Sequence, residues 1–413
     1  MTLTRPPVLV DYEDVAWFRD QPEAARGAAA ALGRRIGLGE QRTAQLVLAV
    51  AELAGNLTKH AIDGSLLLRV VRTHPEPGAD ASAGVEVIAV DGGPGMADIP
   101  AALRDGMSTS GTLGIGLGAV QRLADTFDIH SRPGTGTIQL ARFWPRPAPR
   151  SASGEPAVAG ITRPISGEQT CGDAWAARAG GVPTPAVAAR DGRAAPHGTS
   201  HQARLNSPKP TRAPMPQAPS AIVPAPSDAR PHTAGGKASS GTATPGPGEG
   251  LLVMSCDGAG HGPPAAAAAQ TAVRAFHAAE GRTPETVMRE VIQALRGTRG
   301  AAVAIAHLET NGRLLFCGIG NITAALVTTA DRTVLVSHPS IAPDPARQLR
   351  TYESRLPQGG ALVMHSDGVS ERWNAAGLAG LLHHPPAVIA AGLLRDAGTR
   401  RDDASVVIAK ARR

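Results

Sequence analysis

Residues 177–248 contain thirteen of the chain's 35 prolines and no Phe, Trp or Tyr. A run of that composition cannot bury enough apolar surface to offset the entropy of ordering it, so it predicts a disordered insert. Folded structure must come from the sequence on either side. The same run holds the charge. Arg178, Arg190, Arg193, Arg204, Lys209, Arg212, Arg230 and Lys237 stand against only Asp191 and Asp228, which is the whole net excess of +6. The remaining chain is neutral overall, so the basic balance does not imply a folded nucleic-acid-binding face.

Length and composition narrow the class. A chain of 413 residues predicts two or three domains. Aromatics make up 3% against 42% hydrophobic residues, so the cores must be built from Ala, Val, Leu and Ile. Cys171, Cys256 and Cys317 form no disulfide framework and no metal-ligand spacing, which suits a reducing compartment. The N-terminus shows no signal-peptide pattern, and no run of about 18 apolar residues occurs. The expectation is a cytoplasmic protein with no membrane span and no nucleic-acid partner.

Residues 10–145 read as one α/β unit. Residues 21–36 are alanine-rich and helical in pattern. Residues 40–62 form a stronger helix, with Leu46, Val50, Leu53 and Leu57 as a buried stripe. Glu52, Asn56 and His60 are four apart and share a face beside that stripe. Strands are predicted at 66–72 and 85–90, a helix at 119–125, and a hairpin from 127–131 and 137–143. Two glycine clusters occupy 91–118. Glycine lets backbone N–H groups approach a ligand closely, and a following helix N-terminus completes a phosphate cradle. Asn56 can supply an oxygen to Mg²⁺, and Glu52, one turn earlier, can act as a general base. Asp91, at a strand end before glycines, can accept the exocyclic amine of adenine. The N–H groups between Gly111 and Gly118 would hold the phosphates.

The series ELAGNLTKHA, DGGPGM, GTLGIGLG and PGTGT resembles the GHKL ATPase family in the order of its N-box and glycine boxes. It is most similar to the compact serine kinases that act on anti-sigma-factor antagonists, and SGTLGIGLGAVQRLAD matches the branch that phosphorylates stressosome STAS-domain proteins. The resemblance implies that Glu52 is the catalytic base and that Asn56 binds Mg²⁺. It implies that Asp91 reads adenine, and that Gly93, Gly95, Gly111, Thr112, Gly114, Gly116, Gly118 and Thr137 complete the ATP site. Gly92 is a departure, because many relatives carry Asn there. His60 reads as a packing or surface histidine rather than a catalyst.

Residues 146–157 are a Pro/Arg/Ser linker, and a second unit begins near residue 158. Strands are predicted at 251–256, 301–308, 313–317, 323–327, 333–336, 361–365 and 405–408, with helices after Pro263-Pro264 and over 284–295. Asn311-Gly312 signals a hairpin turn. Asp173, Asp257, Asp367 and Asp402 or Asp403 fall at strand ends or in adjacent loops. Clustered carboxylates repel one another unless cations neutralise them, and an all-oxygen set suits Mg²⁺ or Mn²⁺. A pair of such ions can hold a hydroxide in line with a phosphate ester.

The motifs GD, DGAGHG, SDG and RDDAS resemble the SpoIIE-type branch of the PPM serine/threonine phosphatases. That resemblance implies metal ligation by Asp173, Asp257, the Gly258 carbonyl, Asp367 and Asp402, with Asp403 as second choice. His261 recurs in the motif without an assigned role. The insert after Trp175 is a departure, tolerable because loop-closure cost rises slowly with length.

The expected fold class is α+β: a GHKL α/β sandwich (Bergerat fold) over 1–145, the linker, and a PPM-type αββα sandwich over 158–413 interrupted by 177–248. The expected function is a bifunctional partner-switching regulator. Its ATP-dependent kinase-like half and its Mn/Mg-dependent phosphatase half would act on a STAS-domain anti-sigma antagonist or stressosome protein. The alternative is a phosphatase whose GHKL half senses ATP or docks a partner without transferring phosphate.

Overall fold

The computed structural model describes residues 10–19, 21–73, 81–104, 116–148, 154–180, 250–338 and 349–410. All of them belong to one compact unit. Gly111, Thr112, Gly114 and all but the first residues of the Pro-rich insert lie outside the described residues.

The N-terminal half runs β1 (Val10–Phe18), α1 (Ala25–Arg35), α2 (Glu40–His60), β2 (Ser65–Thr73), β3 (Ala83–Asp91), α3 (Ile99–Ala102), α4 (Gly116–Leu123), β4 (Thr126–Arg132) and β5 (Gly136–Phe143). The strands form an antiparallel sheet in the order β1-β2-β3-β5-β4. Strand β1, for which the sequence gives no separate signal, forms its edge. Helix α2 buries the expected stripe of Leu46, Val50, Leu53 and Leu57. Alternation along β2 sends Leu66, Leu68 and Val70 to the α1/α2/α4 side, and Leu67 to the other.

The C-terminal half runs β6 (Val158–Arg163), β7 (Asp173–Ala179), β8 (Leu251–Gly258), α5 (Pro263–Ala278), α6 (Pro284–Ala294), β9 (Ala301–Leu308), β10 (Arg313–Ile319), β11 (Thr323–Val327), β12 (Arg332–Leu335), β13 (Tyr352–Arg355), β14 (Ala361–His365), α7 (Ala375–Leu378), α8 (Pro386–Ala397) and β15 (Ala404–Lys410). Two five-stranded sheets result, β13-β10-β9-β8-β7 and β12-β11-β14-β15-β6. One core lies between them, and α5 and α6 cover the outer face of the first.

Helix α8 covers the outer face of the second sheet and also touches the N-terminal sheet. One continuous core joins Leu67, Ile88, Ile138 and Leu140 of that sheet to Val388, Ile389 and Leu393 of α8, and then to Ile161 and Val406 beyond. Residues Pro386 to Leu394 are all buried, as a helix apolar on every side must be. The molecule is therefore layered as helices, sheet, α8, sheet, sheet, helices.

Strand β7 continues through Ala179, so residues 177–179 are strand rather than disordered. Arg178, counted above with the basic insert, is buried. Its guanidinium donates to the carbonyls of Phe276, Ala279 and Gly281 where α5 ends, satisfying acceptors that a helix terminus leaves open. The three cysteines are free. Among the described residues, no helix is long and apolar enough to cross a membrane.

Candidate functional site

The first candidate site is the corner where α2, the end of β3 and the start of β5 meet. Asp91 closes β3 and pairs with Thr137 of β5. Its Oδ1 accepts the Gly93 N–H at 2.7 Å. Burial raises the Asp91 carboxyl above its usual range, while the Gly93 N–H, Arg395, the Thr137 backbone and His60 pull it down. Thr137 is buried, and its hydroxyl lies 2.9 Å from Ser131 Oγ, which accepts the Met96 N–H at 2.8 Å.

Two glycines are required here. A Cβ at Gly93 would stand 2.7 Å from the His60 carbonyl oxygen, and Gly95 has φ +68° with a Cβ only 2.1 Å from the Arg132 oxygen. Gly92 is different. A Cβ there would meet nothing nearer than 3.5 Å, so the position where many relatives carry Asn has room for one. Glu52 and Asn56 are both half-buried on α2, and Gly116 and Gly118 open α4, which packs beside α2. His60 is exposed at the end of α2.

The second candidate site lies where β7, β8, β14 and β15 end or begin. Asp173 opens β7 and sits opposite Asp257 of β8. Asp367 follows β14, and Asp402 precedes β15. Asp173 is 4% exposed, and neither of its carboxylate oxygens has a hydrogen-bond partner. Burial pushes it up to about 7, against the pull of the nearby Ser366 and Ser405 hydroxyls and with help from Asp403 and Asp367. Asp257 is pushed up to about 8, first by burial and then by Asp173, Asp367, Asp402 and Asp403. Asp367 is raised by burial and by Asp402. Mutual repulsion of this kind is relieved by protonation or by a cation.

Gly258 follows Asp257 and admits no side chain, since a Cβ would lie 2.3 Å from the Ala265 oxygen. Among the described residues no three His, Cys, Asp or Glu side chains converge tightly enough to enclose an ion by themselves. Asp173, Asp257, Asp367 and Asp402 offer only oxygen donors, the kind that hard divalent ions take. The orphaned oxygens of Asp173 fit that role.

The geometry separates Asp402 from Asp403. Asp403 is 3% exposed, and its oxygens accept the N–H groups of Ile165 and Gly172, each at 2.8 Å. Both oxygens are engaged in fixing the loop before Asp173. Asp402 is exposed, and it raises both Asp257 and Asp367. His261 lies 3.5 Å from Glu168, on the rim.

Sequence reading missed several groups around these sites. Asn321 donates to Asp367 Oδ2 at 2.6 Å. Arg395 of α8 donates to the Asp91 carbonyl at 3.4 Å, and Arg400 pairs with Asp63. Each has a partner far away in sequence, so only the fold brings the two together.

Comparison with known proteins agrees with this division. Residues 19–142 match the family described as histidine kinase-like ATPase domain, and residues 247–412 match stage II sporulation protein E (SpoIIE). Over 123 residues the chain is 37% identical to the serine/threonine-protein kinase RsbT of Bacillus subtilis (strain 168), covering 30% of this chain and 88% of that kinase. A solved structure of the PP2C phosphatase domain and a regulatory-domain fragment of SpoIIE from Bacillus subtilis aligns over 94% of both chains, at 9% identity and a TM-score of 0.37. The RsbU and RsbW domains of a Mycobacterium tuberculosis protein align over 40% of this chain and 55% of that one, at 21% identity and a TM-score of 0.34. ATP and metal use, in general terms, come with the two domain types. The chain belongs to the RsbT-like serine kinase family through its N-terminal half, and joins to it a SpoIIE-type PPM phosphatase domain.

Proposed function

We propose that the two halves act in opposite directions on one partner, a STAS-domain anti-sigma antagonist or stressosome protein. Residues 1–145 form the kinase-like half, 146–157 the linker and 158–413 the phosphatase half. In the kinase-like half, Glu52 accepts the proton of a Ser or Thr hydroxyl on the partner. Asn56 supplies an oxygen toward Mg²⁺, and Asp91, with Thr137 behind it, accepts the adenine amine. Gly93 and Gly95 let the loop after Asp91 pack against the His60 and Arg132 carbonyls and so shape the nucleotide site, and the N–H groups from Gly111 through Gly118, with Thr112, hold its phosphates.

In the phosphatase half, Asp173, Asp257, the Gly258 carbonyl, Asp367 and Asp402 hold divalent ions, Mn²⁺ or Mg²⁺. Such ions, when bound, supply activation of water and charge stabilisation for attack on a phosphate ester. The chain's own residues set the cradle. Asp403 fixes the approach of Gly172 and Asp173, and the lack of a side chain at Gly258 lets the Ala265 and Gly172 backbones close in beside Asp257. The observation that carries this reading is Asp173, a buried carboxylate with only the Ser366 and Ser405 hydroxyls near it, in a set of mutually repelling carboxylates.

The test uses γ-labelled ATP and a purified STAS-domain partner. Label should pass to the partner and be released when Mn²⁺ is supplied. Asp257→Ala should lower release by more than the about 100-fold that outer-shell changes reach, with transfer intact. Glu52→Gln should lower transfer by about 10²–10⁴-fold while ATP still binds. Unchanged release in the first variant, or unchanged transfer in the second, sinks the corresponding assignment.

A further inference from the structure

Opposed activities on one chain would turn over ATP with no net effect unless each site senses the other. The run from Arg395 to Asp403 physically touches both. At its start, in the last turn of α8, Arg395 donates to the Asp91 carbonyl. The backbone then grips the loop that carries Asp367. Ser370 N–H donates to the Ala397 carbonyl at 2.8 Å, and Thr399 N–H donates to the Gly368 carbonyl at 2.7 Å. Arg163 donates to the Thr399 carbonyl from the other side. At its end the run presents Asp402 and Asp403.

Arg400, in the middle, reaches back to the kinase half. It pairs with Asp63, which also pairs with Arg19 at 2.9 Å. Asp63 has φ +56° in the turn that follows α2, the helix of Glu52 and Asn56. That same turn accepts the Gly92 N–H on the Ile62 carbonyl at 2.8 Å. The glycine box after Asp91 is thus tied to the α2 exit turn, the turn to Arg400, and Arg400 to the aspartates beside it.

We propose that nucleotide in the kinase half controls the phosphatase through this run, with Asp63–Arg400 and Asp91–Arg395 as the contacts that change. This rests on the ATP-site reading above, but not on phosphate transfer. The contacts suit a switch. The Asp63 and Arg400 side chains are 53% and 32% exposed, and exposed ion pairs of this kind are worth little and are remade easily. The backbone bonds from Thr399 and Ser370 are short and direct, so a shift of the run carries the Asp367 loop with it. Coupling of this kind is reciprocal: a nucleotide that changes metal affinity must have its own affinity changed by metal, by the same factor.

The experiment uses the full chain with p-nitrophenyl phosphate as the phosphoester probe, at buffered free Mn²⁺, with and without ADP. Binding of fluorescent mant-ADP is followed in parallel. ADP should change the apparent Mn²⁺ affinity, read from hydrolysis against free Mn²⁺, by about 5-fold, the low end of the usual coupling range, and Mn²⁺ should shift mant-ADP affinity by the same factor. Arg400→Gln and Asp63→Asn should keep basal hydrolysis and ADP binding but lose most of the response. Asp91→Asn should lose ADP binding and response together. Bound ADP without any change in hydrolysis overturns the proposal. So does a response that survives Asp91→Asn, since ADP would then act at the phosphatase itself, or one left intact in both Arg400→Gln and Asp63→Asn. Failure of mant-ADP to bind at all overturns the nucleotide reading as well, and the binding arm reports that separately.

Discussion

The two faces of the kinase-half sheet are buried by different means. On one face, α1, α2 and α4 lay down an apolar cluster built from Leu, Val and Ala of neighbouring elements. On the other, the cover is α8, from the far end of the chain, together with β6. That second face also carries a polar row. Arg69, Glu86 and Arg142 sit opposite one another on β2, β3 and β5. Arg69 donates to Glu86 at 2.6 Å and to the Gly160 carbonyl of β6, also at 2.6 Å, and its guanidinium lies 4.1 Å from the Tyr12 ring centroid. Local cover makes the kinase fold, whereas distant cover makes the kinase half depend on the phosphatase half.

The strongest way to break this contrast is Glu86→Ala. Burial alone would raise the Glu86 carboxyl, yet Arg142 and Arg69 hold it below its usual range. Removing it leaves the buried Arg142 without its carboxylate, and Arg69 with only Asp14 at 3.5 Å. Loss of one partner from such a buried set costs about 3–5 kcal/mol. Urea unfolding should show that loss in a single transition for both halves, because they share a core. A midpoint close to that of the parent chain would show that the polar row is not what specifies this face.

The difference between the faces also marks what the sequence reveals. The stripe of Leu46, Val50, Leu53 and Leu57 has helical period because only one side of α2 is buried. Helix α8 is buried on all sides, so its run from Pro386 to Leu394 has no period to read. The aspartates of the second candidate site are legible because turn glycines and strand ends accompany them. Arg395, Arg400 and Asn321 are not, because their partners lie far away in sequence. Arg178 misled for the opposite reason: it borders a proline-rich run, but it belongs to a strand end that caps α5.

A pair of identical changes sharpens the comparison with smaller effects. Glycine in a helix interior costs about 0.5–1 kcal/mol relative to alanine. At Gly55 in α2 a Cβ would meet nothing within 4 Å, so Gly55→Ala should stabilise the chain by that amount. At Gly392 in α8 a Cβ would lie 2.5 Å from Leu381 Cδ1 and 3.1 Å from Ile138 Cδ1. Both neighbours are buried in the shared core. Overpacking costs about 1–3 kcal/mol, which outweighs the helix gain, so Gly392→Ala should destabilise. If both variants stabilise in urea titrations, α8 is not tightly seated against the kinase sheet.

The smallest expected effect lies at the edge of the same face, where His130 of β4 meets the loop before α8. His130 Nδ1 is 3.2 Å from His384 Nε2, and His384 Nδ1 is 2.8 Å from Asp128 Oδ2. Burial lowers the His130 pKa, with His384, Arg395 and Arg132 adding to it and Asp128 opposing. The folded chain therefore binds this proton less readily than the unfolded chain does. Between the usual imidazole value near 6.5 and the lower folded value, the unfolded state holds more protons, so stability falls as pH falls. Above that window the contribution is fully present. The urea midpoint of the parent chain should drop more steeply than that of His130→Gln between about pH 7 and pH 5.5, since other titrating groups cancel in the difference. Parallel profiles would mean that the far edge of the kinase sheet does not feel the phosphatase half, and that the contact between them ends at α8.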